Sequence, residues 1–426
     1  MKRILGWTVL VALFVVAGQA MPQETDPLKL NKEAVDPLAP KNELVVPKIN
    51  PMPMDPKKAP PIKMPMGTLS GSDAPQWPKE ILGKKLDAWV ADIRDTDPSI
   101  RENAIRTVQF FGPDARKAAA KNLIASLDDT DASCRVNAII MVGLIGFDDP
   151  AHARQAVSSL IRLLKYPQTV VRYHAVMALG RLGPEAAAAI GDICTVSMID
   201  QGTWEIRRAA AFAIGRIAAP TDKDKPADRR AYVALAAALS DPSGQVRREV
   251  VQSLLILGRP GQPADIDVLK SKILAHALKD KDKTVAIWSR VCLMRLEPGQ
   301  LNDTNLQALA NITKAKDPTW VLQSIQAIGV IGPEAKILIP DLIALLSHDE
   351  PVCVMMACWA LGRMGKLGDR AIPKLSELAA GKDENIKSSA QEAIDEINGV
   401  KKDKDAPKAM VNPNPPPMAN PIVVPR

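Results

Sequence analysis

From Val171 to Leu182 the chain reads VRYHAVMALGRL, with apolar or small residues at Val171, Ala175, Ala178, Leu179 and Leu182. Spacings of three and four residues place these on one face of a helix. Gly183 follows, then Pro184 and Glu185. Glycine ends a helix cheaply in the left-handed conformation, and proline with an acid suits the first turn of the next. The pattern recurs along the chain. With Arg172 as the zero position, the matching residues are Arg101, Arg135, Arg207, Arg247, Ala286, Val321, Val354 and Lys387, at steps of 33 to 40 residues.

Nine units result, each predicting an antiparallel helix pair. The first helix carries the zero position, and the second carries leucine-rich runs such as AVSSLIRLL and LIPDLIALL. One pair cannot bury its apolar face alone, whereas nine stacked pairs share a continuous core. The expected architecture is all-α, a solenoid of about nine antiparallel helix pairs over residues 81–400. Asp97-Pro98, Asp241-Pro242 and Asp317-Pro318 open three units, and Asp131, Asp282 and Asp383 hold the same place without proline. Aspartate there is expected to cap the free N–H groups of the first helix. Gly112, Gly146, Gly183, Gly258, Gly332 and Gly365 are the expected helix stops. Alanines three residues after zero, and glycines eight after it (Gly143, Gly180, Gly215, Gly329, Gly362), are expected where neighbouring helices approach closely.

The sequence Asp-x-x-(Val/Ile)-Arg-x-x-Ala, followed by Leu/Ile-Gly, resembles HEAT repeats, in particular the short repeats similar to those of phycobilisome lyases. The resemblance covers about three quarters of the chain and implies the superhelical fold. Function is left open, because such arrays serve many roles. The family's Asp–Arg ladder carries over onto Asp97/Arg101 and Asp131/Arg135, and more loosely onto Asp241/Arg247. Arg172 and Arg207 lack an aspartate four residues earlier, where Gln168 and Thr203 stand. From Ala286 the arginine is lost until Lys387, so apolar packing is expected to hold the C-terminal half.

The flanks differ from the repeats. Thirteen of the 36 prolines lie between Met21 and Glu80 and seven between Lys401 and Arg426. Such composition is expected to stay extended and unfolded, giving a linker over 21–80 and a basic tail over 401–426. Both flanks carry a Val-Val-Pro-basic stretch, at Val45 to Lys48 and Val423 to Arg426, which suits either docking strands or spacers. Residues 1–20 have the layout of an export signal. Lys2 and Arg3 precede an apolar run from Ile4 to Ala17, and Gly18-Gln19-Ala20 forms a small-x-small cleavage site. The run is shorter than the ~20 residues of a membrane span, so the expectation is cleavage after Ala20 and an extracellular or periplasmic location. An uncleaved N-terminal anchor is the alternative.

The net charge of +7 is misleading as a nucleic-acid signal. The signal and the tail hold most of it, and the repeats are nearly neutral, too little for a phosphate-backbone footprint. Catalytic motifs are missing as well. The sequence has no Gly-x-Ser-x-Gly, no Walker-type loop and no Gly-x-Gly-x-x-Gly. The four histidines, His152, His174, His276 and His348, form no i,i+3 or i,i+4 pair and no His-Glu dipeptide. Deoxyhypusine hydroxylase, a HEAT-like enzyme, holds iron through repeated His-Glu motifs, so that resemblance stops at the fold. A basic DNA-glycosylase cleft fits neither the export signal nor the neutral array. The five cysteines, Cys134, Cys194, Cys292, Cys353 and Cys358, have no metal or disulfide spacing, and Cys134 and Cys353 occupy a core place one before zero. No cofactor or metal is expected.

Binding remains. Offsets one, two, five and nine after zero point away from the apolar face on the 3.6 period, and would form a concave wall if the first helices line it. Tyr173 lies at offset one, and His174, Trp288 and Met356 at offset two. Met177, Phe212, Val291 and Trp359 lie at offset five, and Arg181, Arg216, Arg295 and Arg363 at offset nine. Arginines beside large apolar groups have the composition of a protein-binding surface. The alternative is that the apolar members pack on their helical neighbours and the arginines are merely solvated. The sequence therefore reads as a monomeric, non-catalytic scaffold for a protein partner of unknown identity. A chromophore-lyase-like or chaperone role, and a structural role in the cell envelope, are the other classes.

Overall fold

Backbone N–H groups at a helix start need acceptors, and the aspartates before the first helices supply them. The computed structural model describes residues 77–198, 200, 203–222 and 226–400. The expected signal, nearly all of the proline-rich linker and the basic tail lie outside the described residues. Nine helices carry the zero positions: α1 (Pro98–Thr107), α2 (Ala132–Ile145), α3 (Thr169–Leu182), α4 (Trp204–Ile217), α5 (Gly244–Leu257), α6 (Lys283–Leu296), α7 (Pro318–Ile331), α8 (Pro351–Arg363) and α9 (Glu384–Ile397). Asp97, Asp131, Asp282, Asp317 and Asp383 each accept a backbone N–H from the first turn of α1, α2, α6, α7 and α9. Asp241 does not cap. Ser243 stands at the N-cap of α5, and the Asp241 carboxylate is used elsewhere.

Each of these helices packs against the next, from α1 to α9, and a second layer of connecting helices runs between them. Arg229–Ala238, Pro263–Lys279 and Asp303–Ile312 are regular connecting helices. After a Gly-Pro-acid start the connection differs from the single helix expected. Gly183–Ala189 and Gly332–Leu338 are 3-10 turns, kinked at Ala186 and Ala335. A two-stranded antiparallel hairpin, Glu80–Ile81 with Lys84–Lys85, and the helix Leu86–Asp92 precede α1. The fold is an all-α solenoid.

Two devices set the spacing between units. The first is steric. Ala104, Ala138, Ala175, Ala210, Ala357 and Ala390 are fully buried. Gly143, Gly180, Gly215 and Gly362 face the residue six after zero on the next helix, and Gly329 faces Trp359, five after zero. A Cβ on Gly143 would lie 2.8 Å from Ala178 Cα, and one on Gly180 2.9 Å from Ala213 Cα. At Gly215 the same place meets Ser253, whose hydroxyl donates to the Ala211 carbonyl at 2.8 Å. No larger side chain fits without moving a helix. On α5 and α6 this offset holds Leu255 and Met294, and both are buried.

The second device is an electrostatic clamp, and it departs from the ladder expected. The arginines do not pair with the caps of their own units. Each reaches the loop that precedes the next one. Arg101 bonds Asp129 through two nitrogens at 2.9 and 2.8 Å, Arg207 bonds Asp241 at 2.6 and 3.1 Å, and Arg247 bonds Asp280 at 2.9 and 2.8 Å. Arg172 reaches Asp200 at 3.2 Å, so neither Arg172 nor Arg207 lacks an acid. The remaining nitrogen donates backwards to loop carbonyls, as Arg247 does to Asp241 and Pro242 and Arg101 to Asp95 and Thr96. Arg135 follows the pattern with a ring as its forward contact. Its guanidinium lies 4.8 Å from the Tyr166 centroid and donates to the Asp129 carbonyl. The acids also shape their loops, for Asp129, Asp241 and Asp280 each accept the N–H two residues on.

Where the arginine is lost, the acid two residues before the next N-cap is lost with it. Ala286 faces a unit with Ala315 there, Val321 one with His348, and Val354 one with Gly381. His348 keeps the turn by accepting the Glu350 N–H on Nδ1 at 3.0 Å. The C-terminal half is held by apolar packing, as expected. From Thr284 to Ser289, from Val291 to Met294 and from Gln323 to Gly329, every residue of α6 and α7 is buried.

The helix-stop glycines all have positive φ, from 56° to 75°. In five of them the conformation is not the left-handed helical one expected. Gly112, Gly146, Gly183, Gly258 and Gly332 have ψ between −136° and −167°. This region is open to glycine almost alone, whereas asparagine tolerates the left-handed helical one. Gly146, at φ 67° and ψ −167°, has open space where a Cβ would stand. Gly146→Ala and Gly146→Asn are each expected to cost about 1–3 kcal/mol in urea unfolding; an asparagine variant as stable as the native chain would overturn this backbone argument.

Asp280 is the most enclosed acid of the clamp, with 2% of its side chain exposed. Burial alone would raise its pKa. Hydrogen bonds from Arg247, the Asp282 N–H and His276 outweigh that and hold the carboxyl below the ordinary range. Its stabilising effect is present at neutral pH and lost as pH falls through the lowered value. Asp280→Asn is expected to destabilise the chain by about 2–4 kcal/mol at pH 7, because Arg247 is left without its carboxylate. The difference from the native chain should shrink in melts run at progressively lower pH.

Candidate protein-binding surface

The outward offsets emerge at the surface on α3 and α4 because Ala175, Ala178, Ala210 and Ala213 turn the opposite faces into the core. Tyr173, His174 and Met177 are half-buried there, and Arg181 is exposed. Phe212 and Arg216 on α4 are half-buried beside them. The Tyr173 and His174 rings meet edge to face with centroids 5.1 Å apart. The Arg216 guanidinium lies 5.6 Å from the Phe212 centroid, within cation–π range. Phe212 crosses the α3–α4 seam over Gly180, where a Cβ would come within 3.0 Å of its ring. The steric device that spaces the helices therefore also seats an aromatic at the surface.

The charges of this surface are one-sided. Neither Arg181 nor Arg216 forms an ion pair with a carboxylate among the described residues. Arg208 next to them is taken up by Glu249 at 3.4 Å, and Arg248 on α5 by Asp282 at 2.5 Å. Arg181 is recessed enough that desolvation lowers its pKa, although its side chain still reaches solvent. Burial, helped by the Arg181 charge, pushes His174 down to about 4. The imidazole is therefore neutral near pH 7, and the surface offers guanidinium donors, aromatic rings and a neutral ring nitrogen.

The other expected members are not part of this group. Trp288 is buried at 1% exposure, and its indole N–H donates to Gln323 Oε1 at 2.8 Å, so it is a core residue between α6 and α7. Val291 and Met356 are buried too. Trp359 is half-buried and occupies the space above Gly329, where it fills a helix–helix notch. Arg295 and Arg363 are exposed, but on α6 and α8. Arg295 donates to the Val330 carbonyl at 3.4 Å. The stripe expected along the array is thus interrupted at α6 and α7, where offsets one, two and five carry apolar or amide side chains, all buried but Leu322.

Exposed apolar groups at the same offsets were not among the expected residues. Phe110 is 57% exposed and Leu144 49% exposed, both nine after zero, in line with Arg181 and Arg216. Ile140, at offset five of α2, is half-buried. The signal was available in the repeat register, which places these residues on the same face as the arginines.

All five cysteines are free, and burial raises each thiol to about 11 or 12, far from a reactive thiolate. No group of three histidine, cysteine, aspartate or glutamate residues among the described residues is placed to hold a metal. A cavity of about 20 Å³, lined by Leu254, Leu255, Leu269, Ile273, Cys292 and Leu296, has room for roughly one water and no cofactor. Among the described residues no helix is long and apolar enough to cross a membrane.

Stacked helix pairs with a register of this kind define a repeat solenoid. The family model for HEAT repeats matches residues 120–190 and 304–395, which take in α2 and α3, and α7 to the greater part of α9. HEAT repeats are therefore detected in these two stretches of the array, and such repeats typically form non-catalytic scaffolds for protein interaction. The crystal structure of an engineered protein from a structural-genomics consortium is similar at 17% identity, covering 74% of this chain and 88% of that one, with a TM-score of 0.40. No curated protein matches the chain.

His174 gives the surface a pH signature. An unfolded imidazole titrates near 6.5 and this one near 4, so between those values the unfolded chain takes up the extra proton. Stability falls as pH drops from about 6.5 to 4. His174→Gln is expected to lose on the order of 1–2 kcal/mol less than the native chain over that interval; parallel losses in the two proteins would show that the imidazole is solvated.

Proposed function

We propose that this chain is an exported, non-catalytic HEAT-repeat scaffold that binds a protein partner through the α3–α4 surface. The observation that carries the reading is the pair of arginines, Arg181 and Arg216, set among Tyr173, His174, Met177 and Phe212 without acidic partners. Guanidinium groups backed by aromatics and partly desolvated are the kind of group that contributes most at protein interfaces. In the clamps, by contrast, Arg101, Arg172, Arg207 and Arg247 each meet an aspartate. The basic-apolar-small order of residues 1–20 supports export, and the proline-rich arms act as spacers.

The test combines crosslinking in the native host with the double variant Arg181→Glu/Arg216→Glu. The native chain is expected to retain a crosslinked partner with links near α3 and α4. The variant should lose it with no change in melting temperature. Trp359 is unsuitable for this test, because its loss would open the notch at Gly329 and destabilise the fold. A partner retained by the variant sinks the assignment of the surface. N-terminal sequencing of the same preparation is expected to start at Met21; a chain starting at Met1 in the cytoplasmic fraction overturns export.

A further inference from the structure

Offset nine holds Phe110 in the 3-10 turn Val108–Phe111 that continues α1, and Leu144, Arg181 and Arg216 on α2, α3 and α4. Its first two members are large, apolar and more than 45% exposed. Its last two are arginines with no carboxylate partner among the described residues. Beside the line, Ile140 extends the apolar end and Phe212 backs the basic end. Exposed large hydrophobics on a folded array mark contact sites when they are contiguous, and unmatched guanidiniums at the adjoining positions ask for carboxylates. The two halves share one offset of the repeat register.

We propose that the α1–α4 line binds an extended peptide segment of a partner, with hydrophobic side chains against Phe110 and Leu144 and carboxylates against Arg181 and Arg216. This rests on the protein-binding reading above and names the chemistry of what is bound. Packed helices lie about 8–10 Å apart, and an extended chain advances about 3.3 Å per residue. One helix therefore corresponds to about three residues, and the whole line to about ten. The recognised segment carries two apolar residues about three apart, then two acidic residues at a similar spacing, read in one direction or the other. Charge supplies registry and a salt-dependent affinity, while the apolar end supplies buried area.

A random 12-residue peptide library selected on the immobilised full chain tests this directly. The enriched peptides are expected to share an acidic pair and an apolar pair, and to bind more weakly as salt is raised. Fluorescence anisotropy with one enriched peptide should show at least a tenfold loss of affinity for Arg181→Glu/Arg216→Glu, and a similar loss for Phe110→Ser/Leu144→Ser. All four side chains are surface residues, so the melting temperature should hold. If the glutamate pair perturbs folding, Arg181→Gln/Arg216→Gln serves in its place. Enriched peptides that lack carboxylates yet are lost with the arginine variant overturn the acidic chemistry and leave the protein-binding reading standing. Peptides displaced by neither variant, or a library with no enrichment, overturn both.

Discussion

The clamp between successive units is the interaction on which the first half of the array depends. One guanidinium closes its own loop through carbonyls and the next unit's loop through a carboxylate, so a single side chain ties three segments together. Such groups are costly to bury unless every donor is matched. Here the acid also fixes its own turn, as Asp280 does with the Asp282 N–H and Asp241 with the Ser243 N–H. The clamp therefore sets the angle at which the next helix starts. The glycine–alanine contacts then fix how closely it lies.

The second half solves the same problem differently. With alanine or valine at the zero position, and Leu255 and Met294 where glycines stand elsewhere, helix spacing is set by side-chain volume. Trp288, Gln323 and Trp359 spread across the outward offsets to fill the seams. The cost is the loss of a free surface on α6 and α7. Binding chemistry and structural chemistry thus compete for the same register positions, and they are separated along the chain: α1 to α4 keep the outward offsets open, while α6 and α7 use them as core.

Most of the fold was legible in the sequence because its information is periodic. The register of Arg172, the helix stops and the small residues at offset three all follow from spacing, and the nine helices lie where that spacing puts them. The clamp is not legible in the sequence, for a definite reason. Asp97 and Arg101 are one turn apart, so local pairing looked sufficient, whereas the true partners stand 28 to 34 residues on and belong to another unit. The glycine stops were located correctly, but their ψ is a property of the following chain path and leaves no mark on the residue itself. At the surface, Tyr173, His174, Arg181, Phe212 and Arg216 were found by offset alone. Trp288 was not distinguishable from them, because the same offset is open or closed according to what the next helix carries. Gln323 decides that case.

The division of each clamp between two units has a consequence for how such an array is inherited. An arginine and its acid sit in neighbouring repeats, so a repeat is compatible with a neighbour rather than complete in itself. Within α1 to α5, gaining or losing one whole repeat leaves every guanidinium facing an acid or a ring, and the same operation within α6 to α9 leaves apolar faces matched. At the junction where Arg247 meets Asp280 and Ala286 meets Ala315 the two kinds of edge adjoin. A duplication carried across that junction would strand a buried charge against an alanine. The array is therefore built from two interchangeable alphabets joined by a seam that admits neither.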